Sequence, residues 1–252
     1  MKKNKFLRLA SVMLMLCLIT TCAISGTFAK YTTSGTATDV ARVAKWGIGV
    51  TVTGAEAFAT SYTNVTSNTE LNTNLDGNDG TDSDDLLAPG TSGTLTEVTI
   101  SGQPEVTTDV TVTVNLNLGA NWTVNSAVYC PVEFTVGTVK YVVGTGEDTS
   151  TLKHCATTAA LELAVEKAII DGVLGNVEDA NVTSGSSSRT RQFTPNNNFG
   201  DNTVDVSVGW NWAFTGNDNA KDTVLGNTIG DGNADNDPTI AFTISVTVDQ
   251  VD

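Results

Sequence analysis

Val110-Thr111-Val112-Thr113-Val114-Asn115-Leu116-Asn117-Leu118 alternates apolar and polar residues without a break. Successive side chains of a strand point to opposite faces, so this stretch reads as a β-strand with one greasy face and one wet one. The same period recurs along the chain. Ile48, Val50 and Val52 share one parity with Trp46, and Val132, Phe134 and Val136 form a shorter run. Val139, Tyr141 and Val143 follow after Gly137. Val204, Val206, Val208, Trp210, Trp212 and Phe214 alternate with polar or small residues, as do Ile240, Phe242, Ile244, Val246 and Val248. Two sheets packed face to face bury all of these faces together. The expected fold is therefore mainly β, a two-sheet antiparallel, jelly-roll-like sandwich.

One segment changes period. Ala160, Leu161, Ala164, Val165, Ala168 and Ile169 recur at helical spacing, and Gly172 offers a stop. The spacing predicts one substantial helix over about 157–171, covering an open end or edge of the sandwich. Residues 72–85 and 179–203 lack apolar periodicity and read as long surface loops. No repeat at solenoid period is present.

The N-terminus points to export. Lys2, Lys3, Lys5 and Arg8 form a basic n-region, Leu7 to Ile24 is mostly apolar, and Thr27-Phe28-Ala29 is a small-x-small cleavage site. This reads as a secretory signal over residues 1–29, removed by a signal peptidase. A membrane anchor is the competing reading; Thr20, Thr21 and Ser25 interrupt the apolar run, so no span is expected after cleavage. The mature chain then divides into an N-terminal arm, residues 30–39, and a single β-sandwich domain, residues 40–252. The full chain carries a formal charge of −15. Losing four of its thirteen basic residues leaves nine against 28 acidic ones, a formal −19. Such a surface repels nucleic acid and anionic lipid.

Cys17 and Cys22 leave with the signal, while Cys130 and Cys155 remain. In an oxidising exterior a disulfide between them is the simple expectation, contributing roughly 3–4 kcal/mol if geometry allows; two buried thiols are the alternative. His154 is the only histidine, which excludes HExxH and a His-rich zinc site. No G-x-S-x-G elbow or P-loop is present. His154 and Cys155 are adjacent, so on an extended chain they face opposite ways. No catalytic residue and no cofactor is assigned, calcium apart. Asp231, Asn233, Asp235 and Asp237 alternate, and their oxygens could converge on calcium, which takes six to eight. The EF-hand spacing is not met, and a solvated polar loop explains the same residues. Trp210 and Trp212 share the parity of the strand's valines, which makes them core residues rather than a sugar-stacking platform. The sequons at Asn64, Asn121 and Asn181 sit behind a signal of bacterial type, which gives glycosylation no support.

Several stretches together carry a likeness. The signal leads into a Thr/Ser-rich arm and then Asp39-Val40-Ala41-Arg42-Val43-Ala44-Lys45-Trp46-Gly47. Leu87-Ala88-Pro89-Gly90 precedes Gly93-Thr94-Leu95, and Trp210-Asn211-Trp212-Ala213-Phe214 precedes Asp222-Thr223-Val224-Leu225-Gly226. The chain closes on Val246-Thr247-Val248-Asp249-Gln250-Val251-Asp252. In these features it resembles the TasA/camelysin-like proteins exported through the SipW-type signal peptidase, biofilm matrix fibre subunits of Gram-positive bacteria. The resemblance implies a jelly roll, secretion to the extracellular matrix or cell surface, and homo-polymerisation in which the N-terminal arm of one subunit inserts into the next. Camelysin-like members have been classed as metallopeptidases; this chain lacks the histidines for that chemistry. Tyr31, Ala37 and Val40 are the expected arm contacts. A monomeric surface binding module, calcium-dependent or carbohydrate-binding, is the alternative function, and a hydrolase built on paired carboxylates is a third.

Overall fold

The computed structural model describes residues 11–15, 32–36, 40–42, 48–54, 58, 61–66, 72–76, 87–175, 187–195, 204–215, 218–229 and 237–251. The chain separates into two compact units, Met1–Tyr31 with Asp252, and Thr32–Val251. In the first, residues 11–15 are helical. The second holds the fold. Its strands are β1 (Thr32–Thr36), β2 (Val40–Arg42), β3 (Ile48–Thr53), β4 (Ser61–Thr66), β5 (Asn72–Asp76), β6 (Ser92–Gly102), β7 (Thr108–Asn117), β8 (Thr123–Val124), β9 (Ala127–Val128), β10 (Val132–Val136), β11 (Val139–Val143), β12 (Leu152–Cys155), β13 (Ser187–Phe193), β14 (Val204–Trp212) and β15 (Ala241–Gln250). Its helices are α1 (Thr158–Leu174) and α2 (Asn219–Ile229).

A four-stranded sheet runs β1-β15-β7-β13 and a seven-stranded sheet runs β12-β11-β10-β14-β6-β3-β2. The fold is thus mainly β, as the alternation predicts. Val110, Val112, Val114, Leu116 and Leu118 are completely buried, and from the other sheet Leu95, Val98, Ile100, Val132, Phe134 and Val208 join the same core. Burying one such side chain contributes about 1.5–3 kcal/mol, which is what holds two sheets of otherwise hydroxyl-rich strands together. Trp122, Trp210 and Trp212 are buried, so they are core residues; Trp46 lies outside the described residues.

Four features depart from expectation. The ladder is not wholly antiparallel: β11 and β12 pair in parallel, with Tyr141 opposite Lys153 and Val143 opposite Cys155. The helix does not stop at Gly172. It starts after Thr157, whose hydroxyl accepts the Ala160 N–H at 3.1 Å, and runs to Leu174, with Gly175 at φ +78° ending it. Gly172 serves a close approach instead, since a Cβ there would lie 3.0 Å from Cγ2 of Val206. A second helix, α2, had no clear apolar stripe to announce it. Finally, two strands fall inside stretches read as loop: β5 inside 72–85, paired with β4, and β13 inside 179–203. The inward positions of β13 are Ser187 and Arg189, polar residues satisfied by carboxylates of α1, so period-two hydrophobicity could not mark it.

Helix α1 packs against strands of both sheets and closes the side of the sandwich bounded by β12 and β13. Leu161, Val165, Ile169, Ile170, Val173 and Leu174 point into the core. The predicted position and covering role of this helix are both met.

Candidate functional site

The edges of the two sheets are not treated alike. An edge strand presents unpaired N–H and C=O groups and templates the addition of another chain unless something blocks it. On β12 the inward bonds use Thr151 and Cys155, whose carbonyls accept from Lys140 and Gly144. The outward groups belong to Leu152 and His154. Thr149 takes both groups of Leu152: its N–H donates to the Leu152 carbonyl at 2.8 Å, and its hydroxyl accepts the Leu152 N–H at 3.0 Å. Asp148 Oδ1 accepts the His154 N–H at 2.9 Å, a bond that, with Lys153 beside it, holds the Asp148 carboxyl below its ordinary range. The 148–149 turn therefore stands where an added strand would bind.

The β13 side is closed by α1. β13 pairs with β7 only as far as Val114, so the N–H groups of Leu116 and Leu118 extend past its end. Glu166 Oε1 accepts the first at 2.9 Å and Glu162 Oε1 the second at 2.7 Å. The match is geometric: residues four apart on a helix rise about 6 Å, and residues two apart on a strand rise about 6.8 Å. Glu166 Oε2 also accepts the Ser187 hydroxyl at 2.6 Å, and Asp171 accepts from Arg189 at 2.8 Å and Lys167 at 2.6 Å. Arg191 donates to the Leu174 carbonyl at the end of α1.

At the opposite side the edge of the four-stranded sheet is β1. Thr32–Thr36 pair antiparallel with β15, from Thr32 opposite Asp249 to Thr36 opposite Ser245. Among the described residues, β1 alone covers that edge of β15. Four residues later the chain is in the other sheet, where Val40 stands opposite Thr51. Of the expected arm contacts, Val40 thus belongs to β2 and not to the arm strand; Tyr31 and Ala37 lie outside the described residues.

The other sequence candidates are not brought together. Cys130 and Cys155 are both free and buried, so the expected disulfide is not made. Cys155 ends β12 while Cys130 precedes β10, and β11 lies between those strands. Two strand spacings are about 9.6 Å, beyond the ~7 Å that a disulfide spans between Cα atoms. Burial pushes the Cys130 thiol up to about 12, and Cys155 is raised by burial and by the charge of Asp148. His154 packs its ring against Gly146, with Nδ1 enclosed and 3.9 Å from Asp148 Oδ1. Of the calcium candidates, Asp231, Asn233 and Asp235 lie outside the described residues, and Asp237 has Oδ1 shielded from solvent without a hydrogen-bond partner. Among the described residues no three His, Cys, Asp or Glu side chains converge as metal ligands. No described helix is long and apolar enough to cross a membrane.

Sequence reasoning missed Asp148, Thr149, Glu162, Glu166 and Arg189. Only the glutamates leave a trace, as two acids four apart in a row that continues with Ile170. No protein-family model, no curated protein and no solved structure matches this chain.

Proposed function

We infer that this chain is a secreted structural subunit of an extracellular fibre or biofilm matrix, of the TasA/camelysin-like type, and that it assembles by donating its N-terminal strand. The observation carrying the reading is the pairing of β1 with β15. β1 begins where the compact unit begins, two residues after the expected mature N-terminus at Lys30. The same five residues of another copy reproduce the register in every main-chain bond, so exchange costs no pairing energy. Four Cα steps join Thr36 in one sheet to Val40 in the other and span at most about 14 Å, against an inter-sheet distance of about 10 Å. Short connections between elements favour exchange between copies. Blocking of β12 and β13 leaves addition to the opposite side of the sandwich, where β1 and β2 are the edge strands, which gives assembly a direction. Such a contact is heterologous and does not close, so it propagates as a fibre.

Negative-stain electron microscopy of a chain starting at Lys30, beside one starting at Val40, tests this. Fibres from the longer chain alone are expected. Equal fibre formation by both, or by neither, overturns donation by β1.

A further inference from the structure

The outer face of the four-stranded sheet carries hydroxyls in register. Thr247 stands opposite Thr111, which stands opposite Thr190. One row along, Ser245 stands opposite Thr113, which stands opposite Ser188. Their strand neighbours Val112, Val114, Val246 and Val248 are buried in the core, which turns the hydroxyl residues outward. The rows repeat about every 6.8 Å along the strands and about every 4.8 Å across them.

The array is held in place. Thr111 Oγ1 and Thr190 Oγ1 are 2.7 Å apart, and Thr113 Oγ1 and Ser188 Oγ are 2.8 Å apart. Threonine is stiff at χ1, so the hydroxyls keep their spacing. Each hydroxyl has one donor and two acceptor sites, and a bonded pair consumes one of each. Every pair therefore still offers a donor and several acceptors to an incoming group.

Charge narrows the choice of partner. The chain carries −15 overall, yet these two rows contain no ionisable group. One row further on, Asp249 stands opposite Asp109. These carboxylates repel an anionic polymer and would oppose each other's charge if two copies met face to face. A neutral polymer meets neither penalty. We propose that this face binds a neutral, hydroxyl-bearing polysaccharide, with sugar hydroxyls exchanging hydrogen bonds with Thr111, Thr113, Thr247 and Thr190. Thr111, Thr113, Thr190 and Thr247 lie on β7, β13 and β15, so the surface does not depend on which copy supplies β1.

Co-sedimentation of the full chain with microcrystalline cellulose, insoluble chitin and insoluble β-1,3-glucan tests the proposal, with carboxylated cellulose as the charged control. The comparison protein is Thr111→Val with Thr247→Val, which keeps shape and strand preference but removes two hydroxyls. Retention on at least one neutral polymer, weakened about tenfold or more by the valine pair, is expected, with none on the carboxylated polymer. A melting curve unchanged by the substitutions separates lost binding from lost folding. No retention of the parent chain on any neutral polymer, or equal retention of the valine variant, overturns the proposal. So does a dimer in the ultracentrifuge that the valine pair abolishes without any retention, which would assign the face to a second copy.

Discussion

Glu166 on α1 accepts the backbone N–H of Leu116 on β7 at 2.9 Å, deep in the core, where neither residue is accessible to solvent. This bond joins the helix to the sheet it covers. Its partner oxygen takes the Ser187 hydroxyl, so one carboxylate ties α1, β7 and β13 together.

Removing it is expected to be costly. Glu166→Ala leaves a buried N–H and a buried hydroxyl without acceptors and opens a cavity, for a loss of about 3–5 kcal/mol in urea unfolding. Glu166→Gln keeps an acceptor for Leu116 and a partner for Ser187, and should lose much less.

The same site fixes a pH signature. Burial raises the Glu166 carboxyl, the bonds from Ser187 and Leu116 pull it back down, and Glu162 adds to the rise. A carboxyl raised on folding binds its proton more tightly in the folded state. Its contribution is fullest below the ordinary value of about 4.3 and is lost as pH rises through the raised one. The stability of Glu166→Gln relative to the parent should therefore improve between pH 4 and pH 7. A difference that stays flat across that range would show that Glu166 does not titrate abnormally.

Thr149→Ala frees the outward N–H of Leu152 on β12, while the Leu152 carbonyl keeps the backbone N–H of residue 149. The monomer should lose about 1 kcal/mol, and combination with Asp148→Ala should increase light scattering on incubation, because the edge then accepts another strand. Scattering no greater than that of the parent would mean that the turn does not guard the edge.

Arm exchange can be locked. Ser34 and Thr247 stand directly opposite each other, within reach of a cross-strand disulfide. Ser34→Cys with Thr247→Cys should yield monomers when oxidised and fibres when reduced, as read by electron microscopy. Fibres from the oxidised form would place assembly elsewhere.

The native thiols should be silent. Cys130 and Cys155 are buried, and a thiol pushed to about 12 carries almost no thiolate at neutral pH. Alkylation is expected only after unfolding, with the intact mass unchanged by prior reduction.

The strands with apolar alternation were legible because each satisfies its burial locally, residue by residue, along one face. β7, β14 and β15 needed no knowledge of their neighbours to be recognised. β13 was not legible, because Ser187 and Arg189 face inward only on condition that Glu166 and Asp171 of a helix arrive beside them. The end of α1 was misplaced for a related reason: Gly172 reads as a stop in isolation, but in the fold it is where the helix meets Val206.

The amino-acid sequence by itself determined that this chain is a β-sandwich carrying one covering helix, since period-two and period-3.6 burial are properties of single segments. Only the tertiary structure decided which edges are blocked, that the two cysteines stand apart, and that threonines from three strands line up in rows. Each of those depends on pairing order and register between segments distant in sequence, and no segment carries that information alone.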